Sequence, residues 1–213
     1  MLDKITINTQ SSIKITGDQI IYFDPFKIEE ETHDADYIFV THDHYDHFEL
    51  DSIKKIMNDN TIIIIPDSMF LKVVPYLNSK QVRGVTPNKE YKIGAMSFKT
   101  IPSYNLNKDF HPRANNYVGY LLNLEDKIIL VSGDTDATPE LLDTKCDIAF
   151  VPIGGTYTMD PTEAAEAINH IKPAVVIPTH YGSIVGTKND ANKFADLLDS
   201  DIECIIKMDW LKW

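Results

Sequence analysis

Short β-rich runs recur along the whole chain: "KITINT", "SIKIT", "IIYF", "YIFVT", "TIIIIP", "MSFKTI", "YVGYLLNL", "KIILVS", "DIAFVP", "AVVIPT" and "IECIIK". Several are continuous and apolar instead of alternating, which is the pattern of strands covered on both faces. Helical periodicity falls between them at three places. In residues 49 to 58, Leu50, Ile53, Ile56 and Met57 recur at three and four positions and form one apolar stripe. In residues 161 to 171, Asp160 suits the N-cap, Pro161 the first turn, and Glu163 completes a capping box. A third helix is expected over residues 190 to 198, with Phe194, Leu197 and Leu198 inward. Strands dominate the first half with little helix between them, whereas the second half alternates strand and helix. Neither a pure Rossmann order nor an all-β barrel accommodates both halves, but two packed sheets flanked by helices do.

No Pro/Gly/Ser linker or charge run marks a boundary, so residues 1–213 read as a single domain with one well-buried core. Lys and Arg number 20 against 32 Asp and Glu, a formal charge of -12. Such a chain repels phosphate backbones and anionic membrane surfaces, and no local basic patch offsets this, so neither a nucleic acid nor a membrane is an expected partner. The two cysteines, Cys146 and Cys204, sit far apart in apolar stretches, as buried thiols do, and do not suggest a disulfide framework or a thiolate metal site. The start "MLDKITINTQ" lacks a basic segment followed by an apolar run, and no stretch approaches the roughly 20 apolar residues of a spanning helix. A cytoplasmic address is therefore expected. The terminal "DWLKW" carries both tryptophans, which suits docking of a last strand at least as well as an interface.

The chemistry concentrates in "VTHDHYDHFELDSI", residues 40 to 53, where three of the seven histidines stand beside Asp43 and Asp46. "YIFVT" reads as a buried strand and the helical stripe begins near Glu49, so the cluster occupies a strand-to-helix loop. On an extended segment His42 and His44 point the same way, and Asp46 and His47, after the chain bends, face the same spot from a second direction. Single His or Asp residues are at ease in turns, but three imidazoles with a carboxylate at this junction indicate metal. Nitrogen and oxygen donors without thiolate suit zinc, manganese, iron or nickel.

"THDHYDH" resembles the His-x-His-x-Asp-His signature of the metallo-β-lactamase superfamily, a four-layer αββα fold of the α/β (α+β) class. Later landmarks agree in order. "VSGDTD" (131 to 136) resembles the family's strand ending in a metal-bridging aspartate, which implies Asp134. "IPTHYG" (177 to 182) resembles its last ligand loop, which implies His180. "YFDPF" (22 to 26) and "FVPIGGTYTMDPTEAAE" (150 to 166) are similar to segments of a branch of small metal-dependent hydrolases, itself similar to ascorbate-6-phosphate lactonase and, more distantly, to a phospholipase D for N-acylethanolamine phospholipids. Two departures stand out. The family pattern places a further histidine near Asn105, within "IPSYNLNKDFHPRANN", and His111 stands six residues later. The branch also has a Gly-His-x-x-Phe-like stretch after its first strand, where this chain has "NTQSSIKI", so a polar group often near the metals is missing.

The resemblance implies one or two divalent ions, zinc first, with manganese, iron or nickel as alternatives. The expected arrangement is His42 and His44, with His111 if its loop folds inward, on one ion; Asp46, His47 and His180 on the second; and Asp134 between them. A metal-bound hydroxide would attack a small ester, lactone or phosphorylated molecule, and Asp46 is the expected catalytic carboxylate that orients it. Asp43 is expected to face away or to accept an N–H from a ligand imidazole. Asn105, Arg113 and Tyr157 are candidate substrate-binding residues, Tyr104 and Tyr181 could also line the pocket, and Lys108 with Arg113 would favour an anionic group. His33 is expected in a solvated loop and His170 at a helix carboxyl end. Two other readings are a phosphodiesterase or nuclease, against which the acidic charge weighs, and a weakly catalytic metal-binding or sensing protein, suggested by Asn105.

Overall fold

In a computed structural model, residues 1–208 are described. The terminal "DWLKW" lies outside them, so the expectation for its tryptophans is not addressed. The chain divides into two compact units, one of residues 1–85 together with Met208, the other of residues 86–207.

The first unit is a six-stranded sheet in sequence order: β1 (Ile5–Ile7), β2 (Ile13–Thr16), β3 (Ile20–Phe23), β4 (Tyr37–Phe39), β5 (Ile62–Pro66) and β6 (Val82–Val85). Its first three strands pair antiparallel and the rest pair parallel. Parallel pairing requires crossovers, and two short helices, α1 (Leu50–Ile56) and α2 (Phe70–Val73), lie within them. One face of the sheet, through Tyr22, Ile38, Ile63 and Val82, packs with Ile53 and Ile56 of α1 and Val73 of α2. Full burial of Ile53 and Ile56 contributes roughly 1.5–3 kcal/mol each. Leu50 and Met57 are half-buried at the edge of the same cluster, which is the predicted stripe. All three residues of β4 are buried, so this central strand has no solvent face and ends rigidly where the histidine cluster begins.

The second unit is a seven-stranded sheet: β7 (Glu90–Ile93), β8 (Met96–Pro102), β9 (Val118–Leu124), β10 (Lys127–Val131), β11 (Ile148–Pro152), β12 (Val175–Thr179) and β13 (Glu203–Cys204), again in sequence order. Pairing is antiparallel from β7 to β10 and parallel from β10 to β13. The helices α3 (Pro139–Leu142), α4 (Pro161–Ile171) and α5 (Asp190–Asp196) fall within the parallel half. The capping box of α4 forms as expected: the Asp160 carboxylate accepts from the N–H groups of Thr162 and Glu163 at 2.8 and 2.9 Å, and Glu163 accepts from Asp160 N–H at 3.0 Å. Ala164, Ala165, Ala167, Ile168 and Ile171 form its buried face.

Four local expectations differ from the structure. The helix expected over 190 to 198 stops at Asp196, so Phe194 is buried while Leu197 is exposed and Leu198 half-buried. Strand β13 is two residues long, shorter than "IECIIK" suggests. Strands β6 and β7 and helix α2 had no clear sequence signal: β6 contains Arg83 and Gly84, and β7, "EYKI", is a half-exposed edge strand. Cys146 and Cys204 are unpaired but half-buried instead of fully buried. Among the described residues no helix is long and apolar enough to cross a membrane.

Burial pushes the Cys146 thiol up to about 12 and the Cys204 thiol up to about 11. At pH 8 the thiolate fraction of both is then very small. Reaction of the native protein with a chromogenic disulfide is expected to be at least about 100-fold slower than that of the unfolded chain. A native thiol reacting at the unfolded rate would contradict the burial.

Candidate functional site

Extended backbone continues beyond β4 through Val40, whose N–H bonds Ile64 O at 2.9 Å. The chain then bends, with the N–H groups of His47 and Phe48 both donating to His44 O, at 3.0 and 2.9 Å. This turn folds Asp46 and His47 back beside His42 and His44, as the spacing predicts. His42 Nε2 stands 3.2 Å from His44 Nδ1, the rings of His42 and His47 are 4.0 Å apart, and His47 Nε2 lies 3.7 Å from Asp46 Oδ2. Two nitrogens bound to one ion at about 2.0–2.1 Å with a near-tetrahedral angle stand roughly 3.2–3.4 Å apart. The His42–His44 separation therefore fits a shared ion, and the nitrogen and oxygen donor set fits a divalent one.

Asp24, in the "YFDPF" segment, organises these rings. It is fully buried and left-handed, at φ 43°. Its Oδ2 accepts from His47 Nδ1 at 2.7 Å and from the Thr41 hydroxyl at 2.7 Å, and its Oδ1 accepts from Thr41 N–H at 2.7 Å. With its own proton given to Asp24, the Thr41 hydroxyl accepts from His42 Nδ1, 2.9 Å away. Both His42 and His47 thus carry their proton on Nδ1 and a lone pair on Nε2, the form that ligates metal. Burial pushes the Asp24 carboxyl up, and His47 and Thr41 oppose that shift. Asp43, expected to face away or to accept an N–H from a ligand imidazole, pairs with the exposed Lys72. The available signal for Asp24 was an aspartate directly after a buried strand and before a proline.

Within "NTQSSIKI", the stretch that lacks the branch's Gly-His pattern, stands Gln10. This residue is fully buried, left-handed at φ 50°, and donates from Nε2 to Asp46 Oδ2 at 3.3 Å. Sequence reasoning missed it because a glutamine in a turn between two strands carries no chemical signature.

In the second unit Asp134 follows β10, directly after Gly133 at φ 66°. The Ser103 hydroxyl donates to Asp134 O at 2.9 Å and fixes this turn. Strand β12 delivers His180, left-handed at φ 55°, just beyond its end. Its Nε2 lies 3.1 Å from Asp134 Oδ2. Gly154 permits this arrangement, since a Cβ there would stand 2.2 Å from His180 O. His111 turns inward: it is 1% exposed and its Nε2 is 3.5 Å from Asp134 Oδ2. Asn105 produces that inward turn, its Oδ1 accepting from His111 N–H at 3.0 Å and facing His111 Nδ1 at 3.1 Å. Asp134 is thereby flanked by two imidazoles, as a bridging carboxylate would be.

Asn105, Lys108, Arg113 and Tyr157 are engaged with neighbours within this unit. The Asn105 amide also donates to Asp136 Oδ1 and Tyr157 O, at 3.2 and 3.0 Å. Lys108 pairs with Asp136 at 2.7 Å. Arg113 pairs with Glu140 and lies over the Tyr104 ring, 4.8 Å from its centroid. Tyr157 is half-buried, with its ring edge-on to Phe110. Tyr181 is fully buried, and burial raises its hydroxyl. His33 is exposed but bonded to Met57 O at 2.7 Å, and His170 is exposed in the last turn of α4.

The model of the β-lactamase superfamily domain matches residues 4–180, and the chain belongs to that family. A UPF0173 metal-dependent hydrolase of Thermococcus kodakarensis is 28% identical, with 95% of each chain covered. A UPF0173 protein of Pyrococcus abyssi is 31% identical over 82% of this chain and 80% of its own. In three dimensions the chain is similar to a Parabacteroides distasonis protein assigned to the metal-dependent hydrolases: TM-score 0.81, 29% identity, with 96% of this chain and 93% of that one covered. Igni18, a metallo hydrolase of Ignicoccus hospitalis, shares the fold at 20% identity, TM-score 0.73, with 96% and 95% covered. The fold is the metallo-β-lactamase fold expected from the motif order.

Asp24→Ala leaves the Thr41 N–H and hydroxyl and the His47 N–H without their acceptor in a buried place. Denaturant unfolding of the metal-free variant is expected to show a loss of about 3–5 kcal/mol, with a smaller loss for Asp24→Asn. A change within about 0.5 kcal/mol would contradict the central position of Asp24.

Proposed function

We propose that the protein is a metal-dependent hydrolase of small esters or lactones. In this reading the metal ligands are His42, His44, Asp46 and His47 in the first unit and His111, Asp134 and His180 in the second, for one or two divalent ions per chain. Zinc is the first choice, and manganese, iron or nickel suit the same donors. The observation that carries the reading is the chain from Asp24 through Thr41 to His42, and from Asp24 to His47. A neutral imidazole with its proton held on Nδ1 by a buried carboxylate is a ligand prepared for metal. Family membership supports the same reading, and relatives are named metal-dependent hydrolases.

When bound, such an ion acidifies a water to near-neutral pKa and polarises a carbonyl or phosphoryl oxygen. The chain's own groups do the remainder. Asp46 orients the attacking water and takes its proton, and Gln10 donates to one oxygen of that carboxylate. The inward His111, held by Asn105, supports a hydrolase over the weakly catalytic sensing alternative, in which that position would be lost. Lys108 and Arg113 are already paired with Asp136 and Glu140. A phosphorylated substrate would have to compete for them, so the ester or lactone class ranks ahead of it.

Elemental analysis of protein purified without chelators is expected to give about two metal equivalents per chain, falling towards one in His111→Ala. Hydrolysis of an ester and lactone panel should be lost on chelation, restored by zinc, and abolished in His44→Ala and Asp134→Ala. Full activity in either variant would sink the assignment. One equivalent unaffected by His111→Ala would favour the sensing alternative.

A further inference from the structure

We propose that Gln10 is the positioning residue of the Asp46 carboxylate, an amide built into the first unit to fix the orientation of that group. Its consequence for metal binding rests on the functional reading above, while the contact itself does not.

Three observations converge on Gln10. Its backbone is left-handed, at φ 50°. A non-glycine residue there costs of order 1–3 kcal/mol and persists where surrounding structure enforces it. The side chain is completely buried, and an amide in that position is costly unless it is hydrogen-bonded. The bond it makes reaches across 36 residues of sequence to a carboxylate: Nε2 donates to Asp46 Oδ2 at 3.3 Å. Glycine would fit this backbone without steric cost, and the strain of a glutamine here accompanies a side chain that is buried and hydrogen-bonded.

The turn is anchored to match. Asn8 N–H donates to Ser12 O at 2.9 Å and Ser12 N–H to Thr9 O at 2.8 Å. Asn8 Nδ2 donates to the carbonyls of Phe26 and Lys27 at 2.8 and 3.0 Å, and Phe26 N–H to the Ser12 hydroxyl at 3.2 Å. The loop carrying Gln10 is thus bound to the loop carrying Asp24. The two left-handed, fully buried residues act on neighbours in sequence, Asp24 on His47 and Gln10 on Asp46. A carboxamide neither gains nor loses a proton across the working pH range, so it holds Asp46 by donation alone and adds no charge.

The test replaces Gln10 by methionine, which preserves length and approximate volume and removes the donor. Calorimetric titration of the chelator-stripped protein with zinc is expected to show 10–100-fold weaker binding of an ion in Gln10→Met. On any ester the parent hydrolyses, kcat should fall with KM little changed. Independently of metal, the Gln10 side-chain NH2 signals of the metal-free parent should be protected from exchange and should shift in Asp46→Ala. Zinc affinity in a folded Gln10→Met equal to that of the parent would overturn the proposal, as would Gln10 signals unaffected by Asp46→Ala. If Gln10→Met does not fold, the NH2 signals decide alone. If the parent itself binds none of zinc, manganese, iron and nickel, the hydrolase reading fails, and those signals still decide whether Gln10 positions Asp46.

Discussion

The buried carboxylate of Asp24 is the interaction on which the histidine cluster depends. A fully desolvated carboxyl is unfavourable by itself, and here its acceptor capacity is met by Thr41 N–H, the Thr41 hydroxyl and His47 N–H. The arrangement in turn sets the tautomer of His47 directly and of His42 through the hydroxyl. A histidine cluster without such support would be a set of rings choosing among rotamers and protonation states. With it, two imidazoles present Nε2 lone pairs in fixed directions before any ligand arrives, which is preorganisation in its usual physical sense.

The sheets explain how so small a segment can be held so firmly. Strand β4 is buried along its whole length between β3 and β5, and the loop after it begins with Thr41 bonded to Asp24 at the end of neighbouring β3. In the second unit the candidate ligands likewise stand just beyond strand ends, Asp134 after β10 and His180 after β12. Left-handed backbone recurs at Gln10, Asp24 and His180. Such backbone persists in non-glycine residues where the surrounding structure enforces it.

Much of this was legible in the sequence. Continuous apolar runs marked the buried strands, the Asp160–Glu163 pair marked α4, and the spacing of His42, His44, Asp46 and His47 marked their convergence. What escaped were groups whose importance lies in long-range contacts. Asp24 and Gln10 sit 23 and 36 residues from their partners His47 and Asp46, and no local pattern announces such pairings. Asp43, inside the same motif, pairs with Lys72, a partner 29 residues away that no spacing indicates. The absence of a histidine near position 105 was visible, but Asn105 turning His111 inward was not, because it depends on how the 105–111 loop closes on itself. The edge strand β7 escaped for a different reason: it is four residues long and only half-buried on one face, too short for its alternation to stand out.

The most direct test of the metal account is anomalous diffraction from crystals of the zinc-loaded protein, recorded on either side of the zinc edge. The account predicts a peak about 2.0–2.1 Å from ring nitrogens of His42 and His44, with the Nδ1 atoms of His42 and His47 still bonded to Thr41 and Asp24. Zinc bound only elsewhere, or an ion reached through the Nδ1 atoms of His42 or His47, would contradict it.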